Sequence, residues 1–328
     1  MNRRKLLLVF GAGCLAAPFA SLAQQARKAI LVGVLSYGDQ QNSQAIVTAF
    51  KQGMEALGYI EGKNLTLELR FADGKAERLG ALAEELVQLK VDVILAMDTP
   101  STRAAQRATS VIPIVIGTST DPVGSGLVAS LAHPGGNTTG LSNMAGDTSS
   151  KYLELLVTLL PKLSSAAVLL NPANPATRVE LKNLEEANKH AGLRLLALEA
   201  ETPEQIERAF AAMARQRVGG VLITNDAFFS QMKNQIAGLA LKNRILCLGA
   251  GGGMLAEAGF LMTYGLKGYE NYRRAATFVD KIVKGAKPGD LPVEQPTTLE
   301  LVVNMKTAKA LGIRIPDSIR VRADRVIE

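Results

Sequence analysis

The chain has 328 residues, 47% hydrophobic and 20% charged, with 37 Lys and Arg against 30 Asp and Glu and a formal net charge of +7. That mild basic excess is spread along the sequence rather than gathered in a stripe, so a nucleic-acid partner gains no support. Two distant histidines and two distant cysteines supply no zinc-ligand spacing, and the length favours two lobes over one.

The first residues, MNRRKLLLVFGAGCLAAPFASLAQQ, place Arg3, Arg4 and Lys5 before an apolar run from Leu6 to about Ala20, then Ser21-Leu22-Ala23. A charged start, a short apolar run and small residues before a break mark a secretory signal peptide over residues 1–23. The run is shorter than the roughly 20 residues that span a bilayer, and Pro18 interrupts it. The paired arginines leave twin-arginine export open beside the general route. Cleavage after Ala23 removes three basic groups and no acidic one, so 37 falls to 34 against 30 and the net charge to +4. One cysteine, Cys247, then remains, and no intrachain disulfide is possible. The mature protein is expected to be soluble, globular and exported.

Beyond the leader, short apolar runs alternate with amphipathic stretches, the pattern of parallel sheets covered by helices. Strands are predicted at 29–35 (AILVGVL), 64–71, 92–97 (DVILAM) and 112–117 (IPIVIG), with helices over 43–57, 75–89 and 100–109 between them. After residue 143 the pattern restarts. Helices are predicted over 151–160, 176–190, 203–215 and 228–241, and strands at 166–170, 193–198, 220–224, 245–248 and 260–264. A long helix over 269–284, a strand at 297–304, a short helix over 305–311 and a strand-like 319–322 complete the chain. This last part holds too little apolar sequence for a core of its own, so it must complete the sheets of two α/β lobes.

In open α/β sheets, ligands lie beyond the carboxyl ends of the strands, where helix N-termini present free N–H groups. The loops there hold Ser36-Tyr37-Gly38-Asp39, Asp98-Thr99-Pro100-Ser101-Thr102 and Thr118-Ser119-Thr120-Asp121 in the first lobe. Asn171-Pro172-Ala173-Asn174, Thr224-Asn225-Asp226 and Gly249-Ala250-Gly251 are their counterparts in the second. Hydroxyls, amides and single carboxylates dominate, a set for hydrogen-bonding a small polar molecule; the same residue types also serve as plain helix caps. No catalytic constellation accompanies them: His190 falls at a helix end and His133 in a turn before Pro134-Gly135-Gly136. The Gly251, Gly253, Ala256 spacing is a weak dinucleotide match arriving late in the chain, and no phosphate loop occurs. No enzyme activity, cofactor or metal is expected.

The stretch TSTDPVGSGLVASLAHPGGNTTGLSN, residues 118–143, raises three readings: a phosphate cradle, a catalytic loop, or a passage between lobes. Together with KYLELLVTLLP after it, GVLSYG and FKQGMEALGYIEGKNLTLELRFADG before it, and VVNMKTAKALGIRIPDSIRVRADRVIE at the end, it resembles ABC-transporter substrate-binding proteins of the tryptophan- and tyrosine-type family. The resemblance spans residues 28 to 328. It implies a type I periplasmic-binding-protein fold: two Rossmann-like α/β lobes with parallel sheets, joined by crossing segments. The N-terminal lobe would comprise 28–139 plus about 266–297, and the C-terminal lobe 140–265 plus about 298–328. It also implies a short helix over 123–131, with the following glycines acting as a hinge.

Carried over by position, ligand contacts come from Tyr37, Thr99, Ser101, Thr102, Ser119 and Asp121 on one side and Asn171, Asn225 and Asp226 on the other. The start of the helix at Thr99–Thr102 suits a ligand carboxylate, Asp226 and secondarily Asp98 an ammonium group, and Tyr37 an apolar side chain. The chain lacks tryptophan, so an aromatic sandwich for an indole is not expected. The implied role is the solute-binding subunit of an ABC importer, a monomer that captures a small polar ligand such as an amino acid. It would deliver that ligand to an inner-membrane permease and its cytoplasmic ATPase. A sensory subunit serving a membrane receptor is the alternative, and an exported enzyme using Asp98, Asp121 and Asp226 the remote third.

Overall fold

In the computed structural model, which describes residues 29–328 apart from 144, 268, 296 and 297, the apolar runs become the strands of two sheets. The expected signal peptide lies outside the described residues. The first sheet holds β1 (Ile30–Ser36), β2 (Leu65–Phe71), β3 (Val93–Ala96), β4 (Ile114–Ile116) and β5 (Thr138–Gly140), all parallel, in the order β2-β1-β3-β4-β5. Helices α1 (Gln40–Ala56), α2 (Leu79–Gln88) and α3 (Thr99–Ala108) cover it.

The second sheet holds β6 (Ser165–Leu170), β7 (Arg194–Glu199), β8 (Gly220–Ile223), β9 (Leu246–Ala250), β10 (Met262–Leu266), β11 (Leu299–Asn304) and β12 (Arg325–Ile327). Their order is β12-β11-β10-β9-β8-β6-β7, with β10 and β11 antiparallel and the other neighbours parallel. Around it lie α4 (Ala145–Leu159), α5 (Pro175–Ala191), α6 (Pro203–Arg215), α7 (Ala227–Gln231), α8 (Lys233–Lys242) and α9 (Gly253–Glu257). After β10 the chain returns to the first sheet as α10 (Glu270–Val283), then comes back as β11, α11 (Met305–Leu311), α12 (Asp317–Arg320) and β12. The chain therefore passes between the sheets after β5, after β10 and before β11.

Burial explains why these segments are strands. β3, β6, β8 and β9 are buried along their whole length, because helices cover both faces, and they read as unbroken apolar runs. The edge strands β2 and β7 stay partly exposed, and β2 reads as an alternating pattern. On the first sheet, α10 buries Ala275, Ala276, Phe278, Val279 and Ile282 in one cluster with Val47, Phe50 and Met54 of α1 and Val93, Leu95 and Val115 of the strands. The two helices approach so closely that a Cβ on Gly53 would lie 2.3 Å from the Arg273 carbonyl oxygen. That contact requires glycine.

Four sequence expectations change. Residues 123–131 form turns rather than a helix, and β5 extends the first sheet within the stretch read as a hinge. Gly135 and Gly136 adopt positive φ in a turn packed on Gly289, whose carbonyl oxygen accepts the Gly135 N–H. The single helix expected over 228–241 breaks at Met232 into α7 and α8, and 319–322 lies at the end of α12, with the terminal strand shifted to β12.

Candidate functional site

The carboxyl ends of both sheets face each other across a cavity of about 400 Å³. On the first side, Asp98 follows β3 and caps α3: its carboxylate accepts the Ser101 N–H at 2.9 Å and the Tyr37 N–H at 2.9 Å. Beside it, the Thr99 and Ser119 hydroxyls share a hydrogen bond at 3.1 Å. On the second side, Asp226 follows β8, caps α7 and is 4% exposed. Its carboxylate accepts the Asn171 amide at 3.0 Å, the Asn174 amide at 2.8 Å and the Phe228 N–H at 2.9 Å. Behind Asp226, the buried Glu180 accepts the Asn225 N–H at 3.0 Å.

This end of the cavity is strongly acidic. Loss of water raises the pKa of Asp98 and Asp226, and the charge of Asp226 raises Asp98 further. Burial, then the charge of Asp226, pushes Glu180 up to about 8. Burial, then the charges of Asp226 and Asp98, pushes the Tyr37 phenol up to about 12. Among the described residues, none of the three carboxylates has an ion-pair partner. Three cationic side chains line the cavity wall: Lys233 donates to Asn42, Arg325 pairs with Glu257 at 2.7 Å, and Lys267 follows β10 with an exposed side chain. A buried acidic pair in this condition is complementary to a cationic group of a ligand.

Of the nine residues expected to contact ligand, Thr99, Ser119, Asn225 and Asp226 line the cavity. Tyr37, Ser101, Thr102, Asp121 and Asn171 stand outside its wall, for identifiable reasons. Ser101 and Thr102 are fully buried in α3, and the Thr102 hydroxyl bonds back to the Asp98 carbonyl at 2.8 Å. The helix-start donors read as a carboxylate cradle are thus occupied by Asp98 itself. Asp121 accepts the Gly124 N–H at 2.7 Å and closes a turn. Asn171 donates to Asp226 and orients it, while Tyr37 packs into the core beside Asp98. Thr118, within a loop that the sequence already placed at the strand ends, also lines the cavity, and residues that sequence reasoning did not single out include Asn42, Asn143, Gln231, Tyr269 and Tyr272, all in the cavity wall. Thr118 and Asn143 do fall within the distinctive 118–143 stretch; Gln231 carries no sequence signal.

The lobes are in contact. One apolar cluster contains Tyr37 and Ala72 of the first side and Phe228 and Phe229 of the second. At the cavity mouth the Asn42 amide donates to the Gln231 Oε1 at 3.2 Å, Gln231 Nε2 donates to Asp39, and Lys233 Nζ donates to the Asn42 Oδ1. Asp39 is fixed for this role as the N-cap of α1, accepting the Asn42 N–H at 2.7 Å.

Comparison with known proteins agrees with this architecture. Residues 31–327 match the family described as ABC transporter substrate binding protein. The chain is 27% identical over 265 residues to a tyrosine-binding protein of Clostridioides difficile strain R20291, covering 81% of this chain and 76% of that one. It superposes on a Streptococcus pneumoniae ABC domain in complex with L-Trp with a TM-score of 0.81 at 23% identity, covering 90% of this chain and 100% of that one. On the ligand-free, open structure of a Clostridium difficile substrate-binding protein with adhesive properties the TM-score is 0.66 at 25% identity, covering 91% and 99%. Two lobes with mostly parallel sheets, facing each other across a cavity at the strand ends, are the type I periplasmic-binding-protein architecture. The chain belongs to the ABC transporter substrate-binding protein family.

Proposed function

We propose that this protein is the extracytoplasmic solute-binding subunit of an ABC importer. It captures an amino acid between its lobes and presents the closed form to a membrane permease. The observation that carries this reading is the facing pair Asp98 and Asp226, desolvated and without a cationic partner among the described residues. An α-ammonium group between them satisfies both carboxylates, and the Thr99 and Ser119 hydroxyls beside them suit the ligand's carboxylate. The binding named for the Clostridioides difficile relative supports an amino-acid cargo.

Closure is the working motion. The units that move are 28–139 with about 266–297, and 140–265 with about 298–328, and the contacts at Asp39, Asn42, Gln231 and Lys233 belong to the closed state. The lower TM-score to an open relative is consistent with this. A ligand shifts the balance only through contacts improved by closure, and bridging Asp98 to Asp226 is such a contact. The residues before 29 fit an export leader, which would place the mature chain in the periplasm, and we take it to act there as a monomer.

The test is thermal unfolding of protein refolded to strip bound ligand, against amino acids, short peptides, organic acids and sugars. A true ligand at a hundred times its dissociation constant adds about 2.7 kcal/mol, a shift of roughly 5–10 °C for lobes of this size. A selective shift with amino acids is the expected outcome. Shifts confined to sugars or to acids lacking an amine would overturn the assignment.

A further inference from the structure

Beyond the ends of β9 and β10 the cavity wall passes to the loop at Gly251–Gly253 and to Lys267 and Tyr269, which lie in the crossing between β10 and α10. Strand pairing carries Ile223 of β8 to Gly249 of β9 and on to Thr263 of β10, so Asp226 and Lys267 follow their strands at nearly the same level. They are two strands apart, and at about 4.8 Å per strand their backbones are separated by roughly 10 Å. Lys267 is exposed, and among the described residues its ammonium has no ion-pair partner. Tyr269 is half-buried, and among the described residues nothing hydrogen-bonds its hydroxyl. The other charged groups at this end are engaged: Arg325 pairs with Glu257 at 2.7 Å, and Glu300 accepts the Gly253 N–H at 3.3 Å. Burial, then the charge of Glu257, raises the Tyr269 pKa and Arg325 lowers it, so the phenol keeps its proton at neutral pH and can donate it.

An ammonium group and a phenol O–H are both donors, and a carboxylate accepts from both. The ammonium and carboxylate of a simple amino acid sit on one carbon, so they cannot meet Asp226 and Lys267 at once. Resting on the reading that places a ligand ammonium between Asp98 and Asp226, we infer that Lys267 and Tyr269 form a distal subsite for a carboxylate separated from that ammonium by several ångströms. Two kinds of cargo carry this pair of charges: an amino acid with an acidic side chain, and a short peptide with free ends. The Thr99 and Ser119 hydroxyls then meet the α-carboxylate of the first or the peptide carbonyl of the second. An extended chain spans about 3.3–3.6 Å per residue, so a dipeptide covers about 7 Å and the lysine stem closes the rest.

The experiment measures equilibrium binding of two matched pairs, L-glutamate with L-glutamine and L-leucylglycine with its C-terminal amide. The proteins are refolded wild type, Lys267→Gln and Tyr269→Phe. Within each pair only the distal carboxylate differs. Because Lys267 stays in contact with solvent, wild type should prefer the acid by about five- to tenfold, less than a fully desolvated pair gives. The preference should shrink in high salt, and the pair that shows it identifies the source of the carboxylate. Lys267→Gln should erase it with Tm unchanged, since the side chain is exposed, and Tyr269→Phe should reduce it. Acid and amide bound alike in both pairs, whether weakly or not at all, would overturn the distal subsite, as would a preference untouched in Lys267→Gln. Either result leaves the amino-acid reading to stand on the thermal shifts. Protein that binds no compound bearing an amine loses both.

Discussion

Asp226 is held by two amides and backbone N–H groups, and Asp98 by two backbone N–H groups, so each carboxylate is positioned before any ligand arrives. Removing one charge should cost a charge-assisted hydrogen bond worth about 1.5–3 kcal/mol, which is roughly a ten- to hundredfold loss of amino-acid affinity. Titration calorimetry on Asp98→Asn and Asp226→Asn checks this. Asp226→Asn should also lower Tm, because its amide nitrogen meets the donating amide of Asn174 or Asn171. Glu180 carries a pH signature. Its folded pKa of about 8 lies above the ordinary glutamate value, so between about pH 4.5 and 8 the native state holds a proton that the unfolded chain has released. Stability is then fully present at the acid end and falls as pH rises through that window, by up to about 1.4 kcal/mol per unit. Glu180→Gln should flatten the dependence of Tm on pH and raise Tm near pH 8; an unchanged slope would contradict the assignment. Ligand affinity has the opposite sign. The raised carboxylates at Asp98 and Asp226 must ionise to meet an ammonium group, so affinity should climb with pH above the ordinary carboxylate range.

The N-terminus of α1 and the junction of α7 with α8 form the bridge at the cavity mouth, through Asp39, Asn42, Gln231 and Lys233. Losing it with Gln231→Ala and Lys233→Ala should raise the ligand off-rate by about tenfold with little change in Tm, as read by stopped-flow competition. Gly53→Ala, at the α1 to α10 contact, should instead lower Tm by several degrees, because a methyl group there forces the helices apart. Elements of this kind differ in how far sequence reveals them. Strands such as β6 and β8 were legible because full burial leaves an unbroken apolar run. β5, a Thr-Thr-Gly segment, carries no apolar pattern and is a strand only because β4 lies beside it, with Gly140 admitting the close approach to Ile116. The segment 123–131, where the family resemblance implied a helix, folds into turns over Leu127 and Val128, which pack on Ile116 and Val293. The α7 to α8 break at Met232 is set by the contacts of Phe228 and Phe229 with the core rather than by a local breaker.

At the scale of the molecule, two sheets present their carboxyl ends to one cavity, and the chain crosses between them repeatedly. That arrangement was legible from the alternation of strand and helix and from the family resemblance. Which expected residues line the cavity was not, because whether a residue such as Asn171 faces a ligand or holds an aspartate depends on a side-chain direction that loop composition leaves open. Closure should also appear in solution: small-angle scattering should show a smaller radius of gyration on adding the amino acid that stabilises the protein most. The central claim is that a ligand ammonium group sits between Asp98 and Asp226. Its most direct test is calorimetric titration of the refolded protein with that same amino acid and with its desamino analogue, identical but for the missing amine. The account predicts that the analogue binds at least about tenfold more weakly, with the difference shrinking in Asp226→Asn. Equal affinity for the two would contradict it.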